Sequence, residues 1–426
     1  MSAILTRSRL ARLGQFASAQ VIVQGLGFLA GILLVRQMEP TQYAYYTLTM
    51  TLVGVGNVLT ELGIVNATLA IGGRMIGDGQ SLDALLADAK AFHLRLSIGA
   101  TVVVIPLFVG LLRHQHADWA FSATLALISA ATTWYSVRAL LVVSVARLRG
   151  ALSTQQRVDV SLNAARLALI AMCALWFLNA VVAAAINLVA AAATFWVWRR
   201  WLGRGGYRPE QGTGEHWGAL GRNVRRQAPN SLYYVINGQL AIWLVSVFGS
   251  TDRVAQVGAL GRLSAIFMVV ASVVAGVIQP YFSRARSSRA LKDAFLAVNG
   301  FFALTLVVMV TAAITVPGLL LWILGGHYAA LRAELLWMVL STTLASWAGT
   351  LYGLGSGRGW IVPASLGIGT GVASTIVGVL CFDVSSVAGN FELSTLSNAV
   401  STVVIIAFMR RHLAQAATSA DAGSEA

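Results

Sequence analysis

Apolar runs of about twenty residues, parted by short and mostly basic stretches, recur along this chain from Gly14 to Met409. A helix needs about 20 such residues to cross the hydrocarbon core of a bilayer, and a chain in lipid must satisfy its backbone N–H and C=O groups internally. Repeated runs of this length restrict the fold to a bundle of membrane-spanning helices. Composition agrees, since 57% of the 426 residues are hydrophobic and only 11% are charged, against about 25% charged in a soluble domain. Thirty Lys and Arg against 16 Asp and Glu give a formal charge of +14. The arginines punctuate the apolar runs instead of gathering on a polar module. That pattern argues against nucleic acid as a partner and fits the charge bias of membrane loops.

The hydropathy pattern predicts twelve spans. In the first half they fall near 14–36, 43–72, 92–112, 119–144, 158–178 and 180–201. In the second half they fall near 228–249, 254–279, 294–324, 331–354, 360–381 and 389–409. No charge separates the fifth from the sixth between Arg166 and Arg199, and Asn179 supplies the turn. With the N-terminus inside, 23 of the 30 Lys and Arg fall on inner segments. Arg36, Arg113, Arg253 and Arg332 fall outside, and Arg138, Arg166 and Arg262 lie within spans. This bias predicts that both termini face the cytoplasm. The first span is too long for a signal-peptide core and has no small-residue cleavage site after it, so it is expected to remain as an anchor.

The longest loop, residues 202–227, is basic and rich in glycine. It divides the chain into a cytoplasmic N-terminus (1–13), an N-lobe of six helices (14–201), a C-lobe of six helices (228–409) and a cytoplasmic tail (410–426). Six spans plus six is the pattern of a duplicated transporter. The small, polar residues beyond Leu413 are expected to be disordered. Cys173 and Cys381 both lie in apolar runs without CxxC spacing and read as small hydrophobes, not as a redox or metal pair. His114, Gln115, His116 and Asp118 loosely resemble a metal cluster but are expected to form a solvated loop. No cofactor or metal is expected.

Several stretches carry a family resemblance. Leu33 to Ile64, with Arg36, Pro40, Tyr43 and the step Glu61-Leu62-Gly63, resembles the opening helical hairpin of polysaccharide and O-antigen flippases. Those proteins belong to the multidrug/oligosaccharidyl-lipid/polysaccharide exporter superfamily. Phe248 to Arg284 resembles the family's seventh-to-eighth helix segment, and Pro317 to Leu340 its ninth-to-tenth. The resemblance implies an all-α, polytopic, MATE-like fold of about twelve transmembrane helices, in two six-helix lobes around a cavity that opens alternately to each side. It also implies a place in the bacterial inner membrane. The implied cargo is a lipid-linked oligosaccharide, with membrane lipid and polysaccharide assembly proteins as partners. One departure bears on mechanism. The multidrug branch often carries an acidic cation site in its first or seventh helix, and neither of those spans contains Asp or Glu here.

Polar residues inside the spans are the candidate site. An arginine near the bilayer centre costs about 2.5–3.5 kcal/mol on insertion scales and needs a compensating role. Arg166 and Arg262 lie well inside the fifth and eighth spans. They either line a hydrated cavity and attract the diphosphate or acidic sugars of the cargo, or pair with Glu61 or with backbone carbonyls. Arg36 sits at the outer end of the first span, and Arg138 is placed to snorkel to the inner interface. Glu61, inside the second span, balances an arginine, carries a proton or caps a helix break suggested by Gly63 and Asn66. Tyr233, Asn237 and Gln239 in the seventh span, with Gln24 in the first, either hydrogen-bond sugar hydroxyls or hold helices together.

Three function classes follow. The leading expectation is a flippase for a polyprenyl-diphosphate-linked oligosaccharide. A drug or cation antiporter of the same superfamily is second, disfavoured by the missing acids. A membrane enzyme of polysaccharide assembly is third. It lacks both a substantial external loop and a nucleophile–base constellation, so no catalytic residue is named.

Overall fold

A computed structural model of the chain describes residues 7–77, 82–204, 214–285, 287–356, 358, 360 and 362–422. Among these there is no strand. The first half holds α1 (Arg7–Gln37), α2 (Pro40–Glu61), α3 (Ile64–Gly77), α4 (Asp83–His114), α5 (Trp119–Leu148), α6 (Leu152–Ala174) and α7 (Ala180–Arg204). The second holds α8 (Trp217–Phe248), α9 (Thr251–Arg284), α10 (Ser288–Thr315), α11 (Pro317–Leu324), α12 (Arg332–Ser356), α13 (Ala364–Cys381) and α14 (Val387–Ala422).

Every expected span is occupied by a helix. Among the described residues, eight helices are long and apolar enough to cross a membrane, or nine if α2 and α3 count as one bent span. Helices α6, α9 and α12 fill the other three positions. Their neighbours' outward faces are apolar, with Val102, Leu107, Leu127, Leu304, Leu380 and Val403 all exposed. Surfaces of that kind belong in lipid. Trp119, Trp176 and Trp322 are exposed at or beside the ends of α5, α6 and α11, the placement that amphipathic rings take at a membrane–water interface.

Two of the expected spans are broken, the second at the step where Gly63 and Asn66 suggest a break. The second stops at Glu61, where Leu62 (φ 38°) and Gly63 (φ 87°) take left-handed backbone, and α3 departs at 41°. The ninth divides at Val316, after which Pro317 opens α11 as its first residue. Proline lacks the N–H that would continue the preceding helix but fits a helix start. Asn179 turns the chain as expected, its Oδ1 accepting from the Val182 N–H at 2.9 Å. The tail expected to be disordered beyond Leu413 is helical to Ala422, in keeping with its high alanine content.

Contacts divide the chain into two compact units, Met1–Ala255 and Gln256–Ala426. In the first, α5 packs along α7, α1 along α6, and α2 against α4 and α5. Its largest side chains at the basic end, Trp198, Leu85, Leu86 and Leu141, are fully buried. Helix α8, the first helix after the loop, packs on α2, α3 and α4 and falls within this unit. Both of its ends are tied there. The buried Asp88 carboxylate of α4 accepts the N–H groups of Gly214 (2.8 Å) and His216 (3.1 Å) just before α8 begins. Trp217 then sits under the Arg95 guanidinium, 3.9 Å from ring centroid to Cζ.

The second unit centres on α12 and α14. Thr395, Asn398 and Thr402 of α14, spaced i, i+3, i+7 on one face, donate to the carbonyls of Trp337, Ser341 and Leu344 on α12. Trp347 Nε1 donates to Asn299 Oδ1 of α10 at 3.0 Å. At the C-terminus of α9, Arg358 Nη1 donates to the carbonyls of Phe282 (2.9 Å) and Ala285 (2.7 Å). A cation there satisfies carbonyls that the helix cannot, and it complements the helix dipole.

Candidate functional site

The break after α2 sets the local geometry of Glu61. Its Oε2 accepts the Gly63 N–H at 3.1 Å and its Oε1 the Val65 N–H at 3.0 Å. The carboxylate thus caps the first turn of α3, where unpaired N–H groups and the positive end of the helix dipole favour an anion. Of the three roles open to Glu61 in the sequence, this arrangement is the cap. Arg138 lies elsewhere, its Cζ 3.8 Å from the centroid of Trp134 on the same helix. The structure does not bring these two residues together.

Arg166 is half-buried on α6, eight residues from the C-terminal end of the helix at Ala174. Its Nε is buried and, among the described residues, has no hydrogen-bond partner. A buried donor without an acceptor costs about 1–3 kcal/mol. Arg138 Nε shares this condition, so Arg166 and Arg138 are the two members of the expected set with an unfilled buried donor. Gln24 is half-buried on α1, the helix that packs along α6, and Arg36 is exposed near the end of α1.

Helix α8 separates its polar residues. Tyr233 and Asn237, four apart, share one face, whereas Gln239 is about 200° around the helix from Asn237. Gln239 faces α2 at Gly54, where an added Cβ would stand 3.8 Å from its Nε2. Arg262 is half-buried on α9, in the second unit.

The sequence reading missed a cavity of about 50 Å³ among α2, α4 and α5, lined by Thr60, Ser97, Thr101, Ser129, Thr133 and Trp134. It has room for a few waters, far less than a sugar chain needs. At its edge, Ser97 Oγ lies 3.0 Å from Nε2 of the fully buried His93, whose ring meets Trp134 at 5.8 Å. A sequence signal existed in the i, i+4 spacing of Ser97 with Thr101 and Ser129 with Thr133, each pair placing two hydroxyls on one helix face. The loop around His114 is not wholly solvated, because Gln115 is buried and fully bonded. Among the described residues no group of His, Cys, Asp and Glu is placed to hold a metal ion.

This architecture defines a multi-pass α-helical membrane protein. Its fold is similar to that of MATE transporters and of a lipid II flippase. One similar structure is an inward-facing multidrug resistance MATE family transporter of the MOP superfamily, at 17% identity and a TM-score of 0.70, covering 92% of this chain and 95% of that one. Another is the lipid II flippase MurJ in an inward closed conformation, at 12% identity and a TM-score of 0.74, covering 95% of this chain and 90% of that one. A third is a point mutant of the Vibrio cholerae MATE transporter VcmN, at 16% identity and a TM-score of 0.64, covering 96% of this chain and 98% of that one. No family model matches the sequence, and no curated protein matches it. At these identities the likeness establishes the fold.

Proposed function

We propose that this protein is a transporter of the bacterial inner membrane that flips a polyprenyl-diphosphate-linked oligosaccharide from the cytoplasmic to the outer leaflet, for cell-surface polysaccharide or O-antigen assembly. The observation that carries the reading is the charge of the intramembrane polar groups. Arg166 is half-buried with an unpartnered Nε, and Arg262 is half-buried on α9. The first and seventh spans hold no Asp or Glu. A planar guanidinium offers paired donors to phosphate oxygens, so such groups suit an anionic cargo. The likeness in fold to a lipid II flippase supports a lipid-linked cargo. Both termini face the cytoplasm in this reading, the lobes are 14–201 and 228–409, and the partners are membrane lipid and polysaccharide assembly proteins.

The second reading, a multidrug or cation antiporter, is favoured by the likeness to the MATE transporters. A cationic cargo calls for anionic groups, and the positions where that branch often carries them hold none here. An enzyme of polysaccharide assembly is the weakest reading, since the similar structures are transporters and flippases.

Depletion of the protein in its native cell, followed by mass spectrometry of extracted polyprenyl-linked sugars, tests the proposal. Accumulated complete repeat units with loss of surface polysaccharide support the flippase. Unchanged lipid intermediates with new sensitivity to cationic drugs reject it in favour of the antiporter.

A further inference from the structure

Three cations from three helices of the first unit converge at its basic end. Lys90 lies on α4, Arg138 on α5 and Arg199 on α7. The charges of Arg138 and Arg199 both act on Lys90, and Arg199 acts on Arg138. Among the described residues, the acid acting on Lys90 is Asp83, which stands 3.8 Å from Arg149. Aromatic packing holds the group in place. Tyr135 of α5 meets Phe195 of α7 at 5.8 Å, and Arg138 and Arg199 follow those rings by three and four residues, so each lies one turn further on the same face. Arg138 rests on Trp134, which also meets the buried His93 of α4.

Like charges gathered at the edge of a low-dielectric core repel one another, so an anion seated beside the cluster is favoured. The unfilled hydrogen-bonding capacity agrees. Arg138 Nε is buried and, among the described residues, has no hydrogen-bond acceptor. Depth identifies the source of the acceptor. Arg138 and Arg199 are each nineteen residues from the outer ends of their helices, Trp119 and Ala180. At 1.5 Å per residue that is about 28 Å, close to the hydrocarbon thickness of about 30 Å. Both guanidinium groups therefore reach the level of the phosphates in the leaflet on the basic side.

We propose that Lys90, Arg138 and Arg199 form a binding site for the headgroup phosphate of an anionic phospholipid, seated against Trp134 at the basic ends of α4, α5 and α7. The site is separate from the intramembrane Arg166 and stands whatever the cargo is. Bound lipid would neutralise the cluster and brace the three helices.

The test is lipid binding to the purified full chain in neutral detergent, read by native mass spectrometry and by thermal unfolding. Phosphatidylglycerol, phosphatidylcholine and inorganic phosphate are the probes. Each cation near the surface strengthens attraction to an anionic headgroup by about fivefold in affinity. Wild-type protein should retain and be stabilised by phosphatidylglycerol over phosphatidylcholine. Lys90→Gln and Arg138→Gln should each lower that preference about fivefold, Arg138→Lys should largely keep it, and Arg411→Gln, with the same charge change on α14, should leave it intact. Lys90→Gln carries the test if Arg138→Gln does not fold. Equal affinity for the two lipids overturns the site. So does an Arg411→Gln loss as large as that of Arg138→Gln, which marks diffuse charge. Full displacement of phosphatidylglycerol by millimolar inorganic phosphate overturns the lipid assignment in favour of a free-phosphate site.

Discussion

The side-chain amide of Gln115, in the turn between α4 and α5, donates to the backbone carbonyl of Ser246 at 2.6 Å. Ser246 is two residues from the end of α8, among the four carbonyls that a helix leaves without an internal partner. The same side chain accepts from Thr251 Oγ1 at 2.7 Å at the start of α9, and the Gln115 carbonyl accepts from Tyr45 OH of α2 at 3.0 Å. One buried residue thus stitches the α8–α9 turn to the α4–α5 turn and to α2.

Replacing Gln115 by alanine removes both side-chain bonds and strands the Ser246 carbonyl in a buried place. The expected cost is about 1–3 kcal/mol, read as a lower melting temperature in detergent. Gln115→Glu keeps the acceptor for Thr251 but cannot donate to Ser246 when ionised, so it should be destabilised too. Wild-type melting of both variants would mean that water replaces these bonds.

Glu61 can be assigned by comparing two substitutions. Glutamine keeps a carbonyl oxygen that can accept from the Gly63 or Val65 N–H, whereas alanine leaves both N–H groups unpaired. If the carboxylate serves as a cap, Glu61→Gln should retain transport and Glu61→Ala should lose about 0.5–2 kcal/mol of stability. Loss of transport in a stable Glu61→Gln protein would instead assign it a proton. Gly63→Ala should be harsher than either. At φ 87° an added Cβ is strained, and it would stand 2.5 Å from Gln227 Oε1.

The seam between α12 and α14 is the corresponding test in the second unit. Asn398 Nδ2 donates to the Ser341 carbonyl at 3.0 Å, between the similar bonds of Thr395 and Thr402. Polar contacts of this kind between membrane helices contribute about 0.6–2 kcal/mol. Asn398→Ala should fall in that range by steric-trap or denaturant unfolding. Asn398→Asp should be worse, because an ionised carboxylate cannot donate to a carbonyl. An aspartate variant as stable as wild type would exclude the bond as a source of stability.

How much of this was legible in the sequence depends on the distance over which the determining physics acts. The spans were legible because crossing a bilayer demands length and apolarity, both properties of a contiguous run. The break at Gly63 is legible as one reading of Glu61, whereas the one at Pro317 carries only a local mark within a long apolar stretch. The hydrogen-bond partners at the two ends of α8 were not legible. Its bonds run to Asp88 and Gln115, more than a hundred residues away, and nothing in Trp217–Phe248 names those partners. For the same reason Asn237 and Gln239 read as one polar group although the helix turns them to different sides. His93, a lone histidine at a span boundary, gave no sign that it would meet Ser97 beside a hydroxyl-lined cavity.

Arg166 separates a binding role from a structural one through the sign of its effect on stability. Its Nε is buried and, among the described residues, unpartnered, so the folded protein bears a desolvation cost that a hydrogen bond does not return. Arginines that hold a membrane bundle together lower its stability when removed, because their partners are left exposed to lipid. An arginine held ready for an anionic cargo behaves in the opposite way. Arg166→Leu should then melt at or above the wild-type temperature while flipping of the lipid-linked sugar falls by an order of magnitude or more, about 1.4 kcal/mol per factor of ten. Arg166→Lys, which keeps the charge but loses the planar fork, should lie between the two. A leucine variant that melts well below wild type would place Arg166 among the structural contacts and leave cargo recognition to other groups.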